Sequence, residues 1–330
     1  MHVDHLRRRE FIALLGSMGA WPLTVRAQAV GKVWRIGYLT AAAGRTPLED
    51  ACEEELRRLG WTNGLNVRIE YRYSGGRQDT VLPLVAELVD SNPDVLIAWS
   101  PPLCIAAKRA TTQIPLVCLV VWDPIDIGLV SNLAHPGGNV TGVTGLGNLE
   151  IFAKRLQLLT ELVPSLSRVA VLVSTEVQGS SGPKDTLKAA AKSLNLELHE
   201  FEVKMPSDLD TAMGRAKDWG AQALYTFPGG FTFSFAKQIA DSANAHHLPS
   251  ANSHKEIALA GGLLAYAADL KELGRRGVWY LDKIMRGTPP SMLPFEQLSK
   301  YELIINLKTA KALGLEVPPM LLALADEVIE

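Results

Sequence analysis

Residues 135–148 read HPGGNVTGVTGLGN, and three kinds of chemistry could use such a stretch. Glycine-rich loops cradle phosphates, Asn139-Val140-Thr141 fits a glycan acceptor, and glycine backbone lets a chain turn or cross with few steric limits. The phosphate reading fails on spacing, because Gly145-Leu146-Gly147-Asn148 has no third glycine in register and no GxxxxGK[ST] occurs in the chain. His246, His247 and His254 could suggest a metal, but adjacent histidines on a helix point in different directions, and a solvated helix end accounts for the pair. Cys52, Cys104 and Cys118 are odd in number and lack CxxC spacing, which argues against a zinc cluster or dithiol centre and leaves a Cys104–Cys118 bridge open beside free thiols. With no GxSxG elbow or HExxH pair either, the residues imply no catalytic site, no metal and no cofactor.

The elements that must carry any other chemistry are strands and helices in alternation. VWRIGYL (33–39), VRIEYRY (67–73), DVLIAW (94–99) and IPLVCLVV (114–121) read as strands, with helices over 48–61, 81–91 and 105–113 between them. The pattern restarts at RVAVLVS (168–174), with strands at 196–203, 223–227 and 248–252 and helices over 184–195, 208–220 and 233–247. Strand starts Val33 and Arg168, Val67 and Leu196, Val95 and Ala223 are each offset by roughly 130 residues, a structural repeat. The fold class is therefore α/β: two doubly wound Rossmann-like lobes joined by a hinge. HPGGNVTGVTG lies where the first lobe has run out, so it reads as a crossing between lobes.

Hydrophobic residues make up 47% and charged residues 21% of the 330, with a formal net charge of −2. That excludes a disordered chain and gives no electrostatic surface for nucleic acid. Glu53-Glu54-Glu55 before Arg57-Arg58 has the composition of a solvated helix face. At the N-terminus, Arg7, Arg8 and Arg9 precede an apolar stretch from Phe11 to Val25, ending in Val25-Arg26-Ala27 with small residues where a signal peptidase cuts. Arg8-Arg9-Glu10-Phe11-Ile12 resembles the twin-arginine export motif. Residues 1–27 read as a signal peptide, and the mature protein as periplasmic, beginning near Gln28.

The segments DPIDIGLVSNLAHPGGNVTGVT, KRLQLLTELVPSLSRVAVLVS, GGLLAYAADLKELGRRGVWYLDKIMRGTPPSMLP and YELIINLKTAKALGLEVPPMLLALADEVIE resemble the ABC-transporter substrate-binding protein family that includes tryptophan-binding TrpX-type proteins. The likeness covers nearly all of the mature chain. It implies a type I periplasmic binding protein: a monomer, not an enzyme, enclosing a small organic ligand and delivering it to an ABC permease in the inner membrane. Aromatic or apolar amino acids, or related carboxylates, are the ligand class implied. A signalling receptor in place of the permease, or a secreted α/β enzyme, are the alternatives. Lobe 1 is expected over 28–143 and 266–294, lobe 2 over 144–265 and 295–330.

In this architecture the ligand meets loops at the strand carboxyl ends. Those positions are Thr40, Ala41, Ser100, Pro101, Trp122 and Asp123 in lobe 1, and Ser174, Phe227, Pro228, Asn252 and Tyr266 in lobe 2. Thr40, Ser100 and Ser174 suit a ligand carboxylate, while Asp269 is the preferred partner for an ammonium group, ahead of Asp123. Trp122, Phe227 and Tyr266 could stack on an aromatic ligand, whereas Trp99 reads as core.

Overall fold

The computed structural model describes residues 32–145, 149–175, 181–298 and 300–330. The leader expected at 1–27 lies outside them. β1 (Trp34–Thr40), β3 (Val95–Trp99) and β4 (Leu116–Val121) are nearly continuous apolar runs, largely buried on both faces. Strands read that way where helices cover both sides of a parallel sheet. β2 (Val67–Tyr73) alternates and is only half-buried, as befits an edge strand. With β5 (Val140–Thr144) and β11 (Glu296–Gln297) they form a six-stranded parallel sheet in the order β11-β5-β4-β3-β1-β2.

A second sheet holds seven strands: β6 (Arg168–Ser174), β7 (Glu197–Val203), β8 (Ala223–Thr226), β9 (Ser250–Asn252), β10 (Leu264–Ala268), β12 (Tyr301–Asn306) and β13 (Glu327–Ile329). Their order is β13-β12-β10-β9-β8-β6-β7, parallel except where β10 meets β12. α1 (Pro47–Arg58), α2 (Gln78–Asp90) and α3 (Pro101–Ala110) belong to the first lobe, and α4 (Glu150–Leu162), α5 (Ser181–Ser193) and α6 (Asp208–Trp219) to the second. α7 (Gly230–Ser234), α8 (Ala236–Ala245) and α9 (Lys255–Leu259) follow β8 and β9 there. α10 (Leu270–Met285) returns to the first lobe, where Leu273, Val278 and Leu281 pack with Ile36, Ile97 and Leu119. α1 starts where Thr46 and Glu49 form a reciprocal capping box with Pro47 in the first turn.

The glycine-rich stretch is corrected in part. Its centre is not a crossing but β5, a buried strand of the first sheet. Gly142 has φ +155°, and a Cβ there would lie 1.9 Å from the Cys118 carbonyl oxygen, so the strand needs glycine to approach β4. The first crossing comes after Thr144. The second follows Ala268 and not residue 266, because Tyr266 is paired inside β10. The third follows β11, which lies in the first sheet, and so falls beyond residue 295.

The crossings are fastened to one another. Leu298 N donates to Thr144 O (3.1 Å) and Asp269 N to Lys300 O (3.4 Å), tying the third crossing to the other two. Cys52, Cys104 and Cys118 are buried free thiols, so the bridge left open by the sequence is not made. No helix among the described residues is long and apolar enough to cross a membrane.

Candidate ligand site between the lobes

The carboxyl ends of both sheets face one cleft, whose empty space, open solvent included, is about 530 Å³. The first lobe lines it with Thr40, Ala41, Leu48, Trp99, Ser100, Pro101, Val120, Trp122 and Leu270, and the second with Pro228, Gly229, Gly230, Phe233 and His254. Two wall residues hold unusual backbone. Ser100 has φ 119° and ψ 150°, and Val120, a β-branched residue, has φ 58°. Each conformation costs on the order of 1–3 kcal/mol and persists only where its surroundings over-determine it. At Val120 the pairing register of β4 with β5 shifts between Leu119 and Val121, so the chain kinks as it enters the cavity wall.

Three buried ring nitrogens on this wall have no hydrogen-bond partner among the described residues: Trp99 Nε1, Trp122 Nε1 and His254 Nε2. A buried donor or acceptor left unmatched costs about 1–3 kcal/mol, and three of them share this wall. Burial, then the positive charge of Arg155, depress the His254 pKa from 6.5 to about 4 against an opposing hydrogen bond to the Gly229 backbone. The ring is therefore neutral at physiological pH. Since that backbone bond raises the pKa, the ring donates it, and the unpartnered Nε2 is left as an acceptor.

Six positions expected from the strand-end rule, Thr40, Ala41, Ser100, Pro101, Trp122 and Pro228, come together on this wall. The others do not. Asp123 is exposed, and its Oδ1 accepts from Ile125 N (2.9 Å) and Asp126 N (3.0 Å), a turn cap. Ser174 is buried at the end of β6 but is not on the lining. Phe227 is fully buried in the second lobe's core, 5.2 Å from the Phe152 ring, and stacks on nothing in the cavity. Asn252 fastens β9 to β10 by donating to Leu264 O (2.8 Å). The Tyr266 ring packs on Tyr301 (5.8 Å), while its carbonyl accepts from the wholly buried Arg155 at 3.0 and 2.9 Å.

Asp269 is also off the lining, and its oxygens are engaged. Oδ1 accepts from Lys271 N and Glu272 N (both 3.0 Å), capping α10, and Oδ2 accepts from Lys300 Nζ at 2.8 Å. Burial opposes its charge most, but the Lys300 bond and the Glu272 amide together outweigh it and hold the carboxyl below the usual range. It pins two crossings of the hinge rather than facing a ligand. The strand-end rule misses Leu48, Phe233 and Leu270, which come from helices, and Val120, which the kink exposes. Trp99 packs in the first lobe's core and also reaches the cavity. His254 pairs edge-on with Phe233 at 5.5 Å and takes no part in a metal cluster among the described residues. His246 sits elsewhere, 2.8 Å from Asp210.

The wall's α3 start is short of amide donors, because Pro101 and Pro102 fill its first two positions. An anion there would meet the Thr40 and Ser100 hydroxyls and the indole N–H groups, not a row of backbone amides.

Residues 43–329 match the ABC transporter substrate binding protein family. The chain belongs to that family. It is a family of substrate-binding proteins. A tyrosine-binding protein of Clostridioides difficile strain R20291 is 27% identical over 261 residues, 79% of this substrate-binding protein and 74% of that one. Among solved structures, a conserved domain protein from Vibrio cholerae is similar with a TM-score of 0.82 and 23% identity, covering 90% of this chain and all of that one. A Streptococcus pneumoniae ABC domain in complex with L-Trp gives 0.80 at 23% identity, covering 90% and 99%. The two-lobed α/β architecture is the type I periplasmic binding fold.

Proposed function

We propose that this substrate-binding protein serves an ABC importer, closing its two lobes around an aromatic amino acid in the periplasm and presenting it to a permease in the inner membrane. The observation that carries the ligand reading is the meeting of three unpartnered ring nitrogens, Trp99 Nε1, Trp122 Nε1 and His254 Nε2, in a cavity walled by both lobes. Two indole faces and the Phe233 ring supply the apolar and π surface an aromatic side chain needs. The nitrogens supply the hydrogen bonds that fix its polar end. The tyrosine-binding relative and the L-Trp complex point to the same class.

Delivery follows from closure. A ligand touched by both lobes favours the closed form by its differential affinity for it, and a permease that reads surfaces on both lobes distinguishes loaded from empty protein. The export reading rests on the arginines and apolar stretch of residues 7–25 and the Val25-Arg26-Ala27 cleavage pattern. A thermal-shift screen of amino acids and aromatic acids tests the assignment. A ligand at 100 times its Kd adds about 2.7 kcal/mol of stability, so L-tyrosine or L-tryptophan should raise Tm visibly; a folded protein indifferent to both, yet shifted by sugars or aliphatic acids, would refute it.

A further inference from the structure

No Asp, Glu, Lys or Arg is among the described residues lining this cleft, and His254 there is neutral. The charge needed by an amino group must come from beside it. A second cavity, about 310 Å³, shares Val120, Pro228, His254 and Leu270 with the first, and its charged wall residues are Lys255 and Glu256. Lys255 is taken: its Nζ lies 3.0 Å from Glu302 Oε2. Glu256 is not, for its Oε2 is sealed from solvent and has no hydrogen-bond partner. Asp269, the carboxylate that sequence position favours, spends both oxygens on the hinge. Glu49 also carries an orphan oxygen, but it lies on neither cavity wall and its other oxygen closes the α1 capping box.

We propose that Glu256 is the anion that receives the ligand's primary amino group, which makes the site selective for aromatic amines over the matching des-amino acids. This rests on the aromatic amino acid reading above. A carboxylate oxygen that is buried and unmatched is a liability in the empty protein and becomes an asset only when a cation arrives beside it. Burial raises the Glu256 carboxyl, outweighing the lowering by its own backbone amide and by the nearby Lys255 charge. The layout is bipartite. Trp99, Trp122 and Phe233 hold the ring in the first cleft, and the amino group lies past the His254 wall against Glu256 on the first turn of α9.

The test is a ligand-by-mutation cycle read by calorimetry on the purified protein and its Glu256→Gln variant. The probes are L-tryptophan and L-tyrosine, each paired with its des-amino counterpart, 3-(indol-3-yl)propanoate or 3-(4-hydroxyphenyl)propanoate. Wild type should prefer the amino acid, and Glu256→Gln should weaken it at least ~10-fold, the scale of losing one side of a buried charge pair, while shifting the des-amino acid less than about two-fold. Equal loss for both members of a pair would overturn the anchor and leave the aromatic reading standing. If Glu256→Gln does not fold, the wild-type preference decides alone: des-amino acids that bind as tightly as the amino acids overturn the proposal. Folded wild-type protein that binds neither class would overturn the aromatic reading and this inference with it.

Discussion

Ser234, on the short helix α7 of the second lobe, donates from its hydroxyl to the carbonyl oxygen of Ala41, at the end of β1 in the first lobe, at 2.7 Å. Beside this bond the backbones themselves meet, because a Cβ on Gly76 would lie 2.7 Å from both N and Cα of Phe231. These contacts join lobes that the chain otherwise links through its three crossings. Away from the hinge, a hydrogen bond and a backbone contact at Gly76 thus bridge the two lobes.

Gly76→Ala should therefore act on closure rather than on folding. The substitution puts a side chain where the lobes touch, at φ +68°, and the added atom has no room unless the lobes part. Affinity should fall at least ~10-fold. Ser234→Ala, which removes a single bond worth about 1 kcal/mol net, should cost about five-fold. Calorimetric Kd values for both variants check this; unchanged affinity in Gly76→Ala would mean that binding does not need the contact.

Trp122→Phe should lower the empty protein's Tm only by the packing that the smaller ring gives up, since the indole N–H that it removes has no partner to lose. Its ligand affinity should drop roughly five-fold, about the value of one hydrogen bond. Parallel thermal melts with and without L-tyrosine separate the two effects. A large loss of stability in the empty protein would make the residue a core element and not a binding one.

Folding stability should decline as pH falls from 6.5 towards 4 through His254. The folded pKa, about 4, lies below the unfolded value of 6.5, so in that window the unfolded chain binds the extra proton. The contribution is complete above 6.5, is lost progressively down to 4, and amounts to about 3 kcal/mol. Urea titrations at a series of pH values should show the slope, and His254→Gln should flatten it.

Asp269→Asn should destabilise the protein without removing the binding site. It keeps an oxygen that caps α10, as Asn and Asp are equally good N-caps, but loses the Lys300 ion pair across two hinge crossings. Because the folded carboxyl titrates below its ordinary value, the Asp269 contribution is present at neutral pH and is lost as pH falls through the lowered folded value. Ligand affinity should change less than about three-fold, half a kcal/mol on the affinity scale. A greater loss, with Tm intact, would return Asp269 to the ligand.

What the sequence shows and conceals follows from local physics. The core strands of both lobes are legible because doubly covered parallel strands are apolar throughout, as in VLIAW and LVCLVV. VTGVT is not, since the glycine that lets it press on Cys118 looks like a linker residue. The helix after β3 begins four residues before the sequence suggests, as Pro101 and Pro102 occupy its first turn, where their missing N–H groups do no harm. Half of the expected site residues line the cavity because strand ends must face it. Leu48, Phe233 and Leu270 depend on how helices pack, and Val120 on a positive φ that no pattern announces.

The most direct test of a ligand held in this cavity is an NMR titration of the indole N–H signals. Of the seven tryptophans, Trp99 and Trp122 carry the unpartnered nitrogens on the cavity wall, so adding L-tyrosine should shift both signals saturably and together. Saturable binding that leaves both signals in place would put the ligand elsewhere and contradict the site.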